Sequence, residues 1–204
     1  MHLLKPRVAI FDHDEVLAPY IMPLLKYCKD NFGMQVEKKD ITSYDLGKIF
    51  KIPRQEVNRV LFAFEASPEF MAVRPYPFTL SALLELRPHF DKHVTGTARR
   101  HELMEITEQI TREYLPGGID EIVCTNEPYN EGQPANGKGK LCQGLNAKFL
   151  AEDNLQTCLA VAQLIPDAEV YVIDQPWNQT TDELPRNVFR VSNLAAVPRL
   201  YYRK

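Results

Sequence analysis

The sequence predicts a three-layer α/β/α fold around a parallel sheet, with a small all-helical unit inserted after the first strand. Three observations predict it. Val8-Ala9-Ile10-Phe11 is apolar throughout and β-branched at Val8 and Ile10, as a central strand covered on both faces requires. From residue 78 onward, short apolar runs alternate with amphipathic helical segments, the pattern of strand-helix-strand units. Between these two regions, about residues 17–74, helical spacing recurs without a convincing strand. A chain of 204 residues can bury one substantial core and carry a modest insertion. The expected division is therefore an α/β core of residues 1–16 and 75–204 and a helical unit of residues 17–74.

Taken in order, the first strand runs into Asp12-His13-Asp14-Glu15. A helix is expected over Tyr20 to Cys28, stopping near Gly33, and a second opens at Ile52-Pro53-Arg54, where Val57, Val60, Leu61 and Phe64 share one face. The insertion is rich in aromatics: Tyr44, Phe50, Phe62, Phe64 and Phe70 suit a helical mini-core, and a minority could form a stacking surface for a flat ligand. Arg74-Pro75-Tyr76-Pro77 breaks the pattern and marks the return to the core. Helices are expected over 78–86, 102–114, 141–145, 155–163 and 194–201, and strands at 93–95, 122–124, 148–151, 170–173 and 188–191. Residues 126–139 are polar, rich in Gly and Pro, and read as a loop.

Composition narrows the function. A net charge of -3 with no face-sized run of Lys and Arg gives no reason to expect a nucleic-acid polymer as partner. Arg99-Arg100 and Lys138/Lys140 are the dense basic spots, suited to a small anion. Cys28, Cys124, Cys142 and Cys158 form no CxxC and read as buried small hydrophobes of a reducing compartment. Lys5 and Arg7 interrupt any leader-like apolar stretch, and no segment reaches the length of a membrane span, so a cytoplasmic protein without a membrane partner is expected.

In open α/β sheets ligands bind outside the carboxyl ends of the strands, where Asp12 and Asp14 stand. Two acids spaced i, i+2 repel unless a cation lies between them or one keeps its proton. Oxygen-only ligands without a Cys or His cluster favour Mg²⁺ over zinc. The alternative is an acidic turn with Asp14 capping a helix. Three further stretches point to the same edge. Thr95-Gly96-Thr97-Ala98-Arg99 places a hydroxyl and free N–H groups between a strand and a helix, which fits an anion cradle or a simple helix cap. Gly137-Lys138-Gly139-Lys140 puts Lys138, or Lys140, at a helix start over the sheet edge, where a lysine can hold a phosphate; alone, both are solvated loop lysines. Ala151-Glu152-Asp153-Asn154 is a second strand ending in acids.

Together these stretches resemble the four motifs of the haloacid dehalogenase superfamily in its phosphatase branch: Asp12-His13-Asp14, Thr97, Lys138 and Glu152-Asp153, in that order. The resemblance spans the chain and implies a Rossmann-like core with the inserted helices as its cap. Asp40-Ile41-Thr42-Ser43-Tyr44-Asp45-Leu46 and Ile173-Asp174-Gln175-Pro176-Trp177-Asn178 are further similar to the 5'(3')-deoxyribonucleotidase, or C-type 5'-nucleotidase, family. One position departs from the superfamily: Glu15 stands where Gly is usual, adding negative charge to the turn.

The resemblance implies a Mg²⁺-dependent phosphomonoester hydrolase acting on (deoxy)nucleoside monophosphates through an aspartyl-phosphate. Asp12 would be the nucleophile and Asp14 the general acid and base. Thr97, Ala98 and Lys138 would hold the phosphate. Mg²⁺ would be bound by Asp12, the Asp14 main-chain carbonyl and Asp153, with Glu152 behind them. A homodimer is compatible with the resemblance. Two alternatives stand beside this reading: the same chemistry on a sugar phosphate or other small phosphomonoester, and a catalytically weak phosphate binder of the same fold.

Overall fold

A computed structural model of the chain describes residues 5–125 and 136–201. Six strands form one sheet: β1 (Val8–Phe11), β2 (Lys92–Thr97), β3 (Glu121–Cys124), β4 (Phe149–Glu152), β5 (Glu169–Ile173) and β6 (Val188–Val191). Their spatial order is β3-β2-β1-β4-β5-β6, and every neighbouring pair is parallel. The chain order reverses at β1, which pairs with β2 on one side and β4 on the other. That reversal leaves a crevice beyond the carboxyl ends of β1 and β4, the place where such sheets bind ligands.

Both faces of the sheet are covered, which is why β1 has no polar residue. Ala9 and Phe11 join Phe149, Ala151, Tyr171 and Ile173 under α5 (Thr79–Leu86) and α9 (Val197–Tyr201). Val8 and Ile10 join Leu150, Val170 and Val172 under α7 (Asn136–Gly144) and α8 (Leu155–Leu164). The remaining helix of this part is α6 (Met104–Tyr114). Alternation along a strand thus feeds two separate apolar layers.

Four helices lie between β1 and α5: α1 (Ile21–Phe32), α2 (Leu46–Phe50), α3 (Arg54–Glu65) and α4 (Pro68–Met71). Gly33 ends α1 in the left-handed conformation, φ 66, a backbone that glycine adopts without steric penalty. Asp45 caps α2, and Ser67 followed by Pro68 starts α4. Leu24, Cys28, Ile41, Phe50, Val60, Phe64 and Phe70 bury one another in a third apolar cluster. Leu103 and Trp177 of the α/β part complete that cluster, so the inserted helices rest on the sheet domain through apolar contact as well as through their linkers.

Strand and helix positions follow the sequence expectation within a few residues, with three corrections. The segment 136–139 is helical although it reads as loop: α7 begins at Asn136, so Lys138 lies in its first turn. Gly137 and Gly139 are poor helix formers, and tertiary contact overrides them. Gly96 lets α7 approach β2, since a Cβ there would come within 2.8 Å of Leu141 Cδ2. Second, Thr97 and Ala98 do not sit at a helix N-terminus, because a 3-10 turn (His101–Leu103) intervenes before α6. Third, helices α2 and α4 are additional to those expected. The loop expected over 126–135 lies outside the described residues. Cys28, Cys142 and Cys158 are buried, Cys124 is partly so, and all four are free thiols. Among the described residues no helix is long and apolar enough to cross a membrane.

Phe149 anchors the central aromatic stack, with ring centroids 5.2 Å from Phe11, 5.4 Å from Phe90 and 5.1 Å from Tyr171. Phe149→Ala is expected to cost about 3–5 kcal/mol, read as a lower urea midpoint; a loss under about 1 kcal/mol would show that the stack is not the core's centre.

Candidate active site

Asp12 follows β1 directly, and its N–H donates to the Ala151 carbonyl at 2.9 Å, carrying the β1–β4 pairing one residue further. Glu152 ends β4 and Asp153 follows it. Adjacent strands therefore deliver three carboxylates to one place. One oxygen each of Asp12, Glu152 and Asp153 lies within 4.8 Å of the others, and all three residues are buried. The sequence-predicted Lys138 reaches the same place from α7: its Nζ is 2.7 Å from Asp12 Oδ1 and also donates to Glu152 Oε2. Lys140 is exposed.

The charges around this pocket are unequally matched. Asp14 carries its own cation: Arg99 Nη2 donates to Oδ1 at 2.6 Å and Nε to Oδ2 at 3.1 Å. Arg99 also donates to Thr107 Oγ1 at 2.9 Å and lies 5.1 Å above the Phe70 ring of the helical insertion. Glu15 has Lys38 at 2.9 Å. Against Asp12, Glu152 and Asp153, by contrast, Lys138 is the only cationic side chain in contact among the described residues. Glu152 Oε1 accepts the N–H groups of Asp153 and Asn154 at 3.0 and 2.9 Å. Asp153 Oδ2 accepts from Trp177 Nε1 at 2.8 Å and the Tyr44 hydroxyl at 3.3 Å, both uncharged donors. Three buried carboxylates face one ammonium, so with all three ionised the site carries an excess of two negative charges, which a divalent cation would match and which raised proton affinity relieves without one.

The proton affinities reflect that imbalance. Burial, then Glu152, push the Asp12 carboxyl up to about 7 against the pull of Lys138. Burial, Glu152 and Asp12 likewise raise Asp153 well above the carboxylate range. Burial works against the Asp14 charge too, but the Arg99 guanidinium outweighs it, and Asp14 stays well below its ordinary value. Burial works against the Lys138 charge, but Asp12 and Glu152 outweigh it and raise its proton affinity above the ordinary lysine value. Burial and the Asp153 carboxylate keep the Tyr44 hydroxyl protonated, hence a donor.

The other predicted residues frame the pocket. Thr97 is the fully buried last residue of β2, and its Oγ1 accepts the Arg99 N–H at 3.2 Å. Ala98 beside it is exposed. Arg99 is buried against Asp14. Sequence reasoning gave Arg99 only as part of a basic spot suited to a small anion and Tyr44 only as one of several aromatics that could stack on a ligand, and assigned no site role to Trp177 or Asn178. Asn178 Nδ2 donates to the main-chain carbonyls of Asp153 and Ile173, both at 2.7 Å, and so fixes the loop that carries Trp177. The signal for Tyr44, Trp177 and Asn178 lay in the two stretches 40–46 and 173–178, which the fold brings to Asp153. Of the predicted aromatics, Phe50, Phe64 and Phe70 are buried in the helical cluster and Phe62 is exposed beneath Arg100, its ring 4.1 Å from the guanidinium; Tyr44 meets the site.

No family model matches this chain, and no curated protein matches it. Solved structures do. A haloacid dehalogenase-like family hydrolase from Streptococcus pneumoniae superposes with a TM-score of 0.67 at 12% identity, over 98% of this chain and 99% of the other. L-2-haloacid dehalogenase from Xanthobacter autotrophicus gives 0.63 at 13% identity, covering 97% and 98%. CbbY from Rhodobacter sphaeroides, solved in complex with phosphate, gives 0.60 at 12% identity, covering 94% and 96%. The fold of this chain is therefore that of haloacid dehalogenase-like hydrolases, along its full described length.

A carboxyl that binds its proton more tightly in the folded chain than in the unfolded one, as Asp12 does, lowers stability as pH rises from about 4 to about 7. Asp12→Asn removes that penalty. Its melting temperature in EDTA, relative to wild type, is expected to be higher at about pH 7.5 than at about pH 5, and Mg²⁺ is expected to narrow the gap at the higher pH. Equal differences at both pH values would refute the unbalanced-charge account.

Proposed function

We propose that this protein is a Mg²⁺-dependent phosphomonoester hydrolase, with (deoxy)nucleoside monophosphates as its substrate class. The observation that carries the proposal is the unneutralised carboxylate trio Asp12, Glu152 and Asp153 beside Lys138, at the point where the sheet order reverses. Haloacid dehalogenation is the other chemistry found among the similar folds. A surplus of buried negative charge would repel a haloalkanoate unless a cation were present, whereas a phosphate monoester brought in with a divalent cation is complementary to it.

Asp12 and Asp153, with the main-chain carbonyl of Asp14, would hold Mg²⁺, and Glu152 orients Lys138 and the Asp153 backbone behind them. When bound, the ion would neutralise the surplus charge and screen the incoming phosphate. Asp12, its proton released to solvent, attacks phosphorus; the bond to the leaving oxygen breaks, that oxygen takes a proton to leave as the alcohol, and an aspartyl-phosphate forms. Water then attacks that phosphorus, Asp14 accepts its proton, and Asp12 is released with inorganic phosphate. Arg99 covers both Asp14 oxygens and keeps the carboxyl ionised, so in the first step Arg99 must release one of them and Asp14 take a proton from solvent, which it passes to the leaving oxygen. Lys138 and Thr97 stabilise charge on the transferring phosphoryl group.

Residues 17–74 act in this proposal as a cap over the site. Its support is that Tyr44 and Phe70 of the inserted helices meet Asp153 and Arg99 directly. Tyr44 and Trp177 form an edge-on pair with centroids 6.2 Å apart, an aromatic wall suited to a nucleobase.

Phosphate release from thymidine 5'-monophosphate, ribose 5-phosphate and p-nitrophenyl phosphate, and halide release from 2-chloropropionate, test the proposal with and without Mg²⁺. Nucleotide is expected to be preferred, with turnover lost in EDTA. Asp12→Asn is expected to lower phosphate release by at least about 10³-fold while the protein still folds. An active Asp12→Asn protein overturns the nucleophile, activity in EDTA overturns the metal, and a preference for ribose 5-phosphate overturns the nucleotide.

A further inference from the structure

Position 15 is unusual in backbone and side chain together. Glu15 has φ 62 in the left-handed region, in the turn straight after the Asp12 and Asp14 pair. For a residue with a Cβ that conformation is sterically disfavoured relative to glycine, so the side chain must be held there by its surroundings. The surroundings are five donors on one buried carboxylate. Oε1 accepts the N–H groups of Tyr20 and Ile21, both at 2.8 Å, which open α1 and have no partner within the helix. Oε2 accepts from Lys38 Nζ at 2.9 Å, the Tyr76 hydroxyl at 3.2 Å and Gln175 Nε2 at 3.4 Å.

These donors come from four separate places: the chain entering the inserted helices, their interior, the chain returning from them, and the loop after β5. Two of these places continue towards the site. Lys38 lies 5.4 Å over the Trp177 ring, and Gln175 and Asn178 bond each other's backbone in a reciprocal box around Pro176 and Trp177. Trp177 and Asn178 then hold Asp153. One carboxylate next to the candidate nucleophile therefore gathers both linkers of the insertion and the loop that fixes Asp153.

We propose that Glu15 is a positioning residue, a buried latch that holds the helical insertion closed on the sheet domain and thereby sets Trp177 against Asp153. Its kinetic consequence rests on the hydrolase reading above; its structural consequence does not.

Trp177 is the single tryptophan of the chain and reports on the latch directly. Glu15→Gln keeps the size of the side chain and removes the charge that draws five donors together. Lys38→Met removes the partner on the insertion and leaves the turn backbone untouched. In the metal-free protein, both are expected to raise the acrylamide quenching constant of Trp177 at least about twofold, with circular dichroism unchanged. In the kinetic arm, Glu15→Gln is expected to lower kcat/KM for thymidine 5'-monophosphate about tenfold or more, with p-nitrophenyl phosphate, which needs less enclosure, affected less. Wild-type quenching in both folded variants overturns the latch, and if Glu15→Gln does not fold, Lys38→Met alone decides. A wild-type protein without phosphatase activity overturns the hydrolase reading while the fluorescence result stands.

Discussion

One buried ammonium governs the centre of this molecule. Lys138 is the cation that the chain itself places between Asp12 and Glu152, and without it three carboxylates would share a dry pocket unopposed. Its position accounts for features that look unrelated along the sequence. A helix begins in a glycine-rich segment because its first turn must reach the sheet edge. The residue packed under that helix is Gly96, where a methyl group would crowd Leu141. A single lysine also falls short of the charge it faces, and that shortfall turns a structural ion pair into a candidate cation site.

The sheet was legible because physics leaves little choice there. β1, β4 and β5 carry continuous apolar runs, as strands covered on both faces favour, whereas β2 is as buried yet holds His93, Thr95 and Thr97. Short helices were not legible: α2 and α4 have readable caps, Asp45 and Ser67-Pro68, but too few residues to show a period. Acidic strand ends marked the edge of interest, yet spacing alone could not reveal that Arg99 covers Asp14, since that pairing spans 85 positions. Nor could it show what Glu15 does. Read in sequence, it is extra negative charge in a crowded turn; in three dimensions its donors lie at positions 20, 21, 38, 76 and 175, and the charge is balanced away from the trio.

Polar and apolar contacts cooperate in joining the two parts of the chain. Leu103 and Trp177 leave the α/β domain to finish the apolar cluster of the helices, while Tyr44 and Lys38 cross in the other direction. Arg100 adds a third crossing through Glu65 and the face of Phe62. Partly exposed ion pairs contribute little by themselves, so the hold of the insertion depends on the buried members, Glu15 and Trp177 above all.

The two linkers of the insertion also touch each other. The Tyr76 N–H and the Thr79 hydroxyl both donate to the Leu17 carbonyl, at 3.0 and 2.8 Å. The chain thus departs from the sheet and comes back through a single stitched doorway. Closing a longer or shorter excursion across such a doorway changes the entropy of the loop only logarithmically with its length. A change in the length of the segment between positions 17 and 76 is therefore taken up beyond the stitch and leaves the end of β1 and the start of α5 where they are.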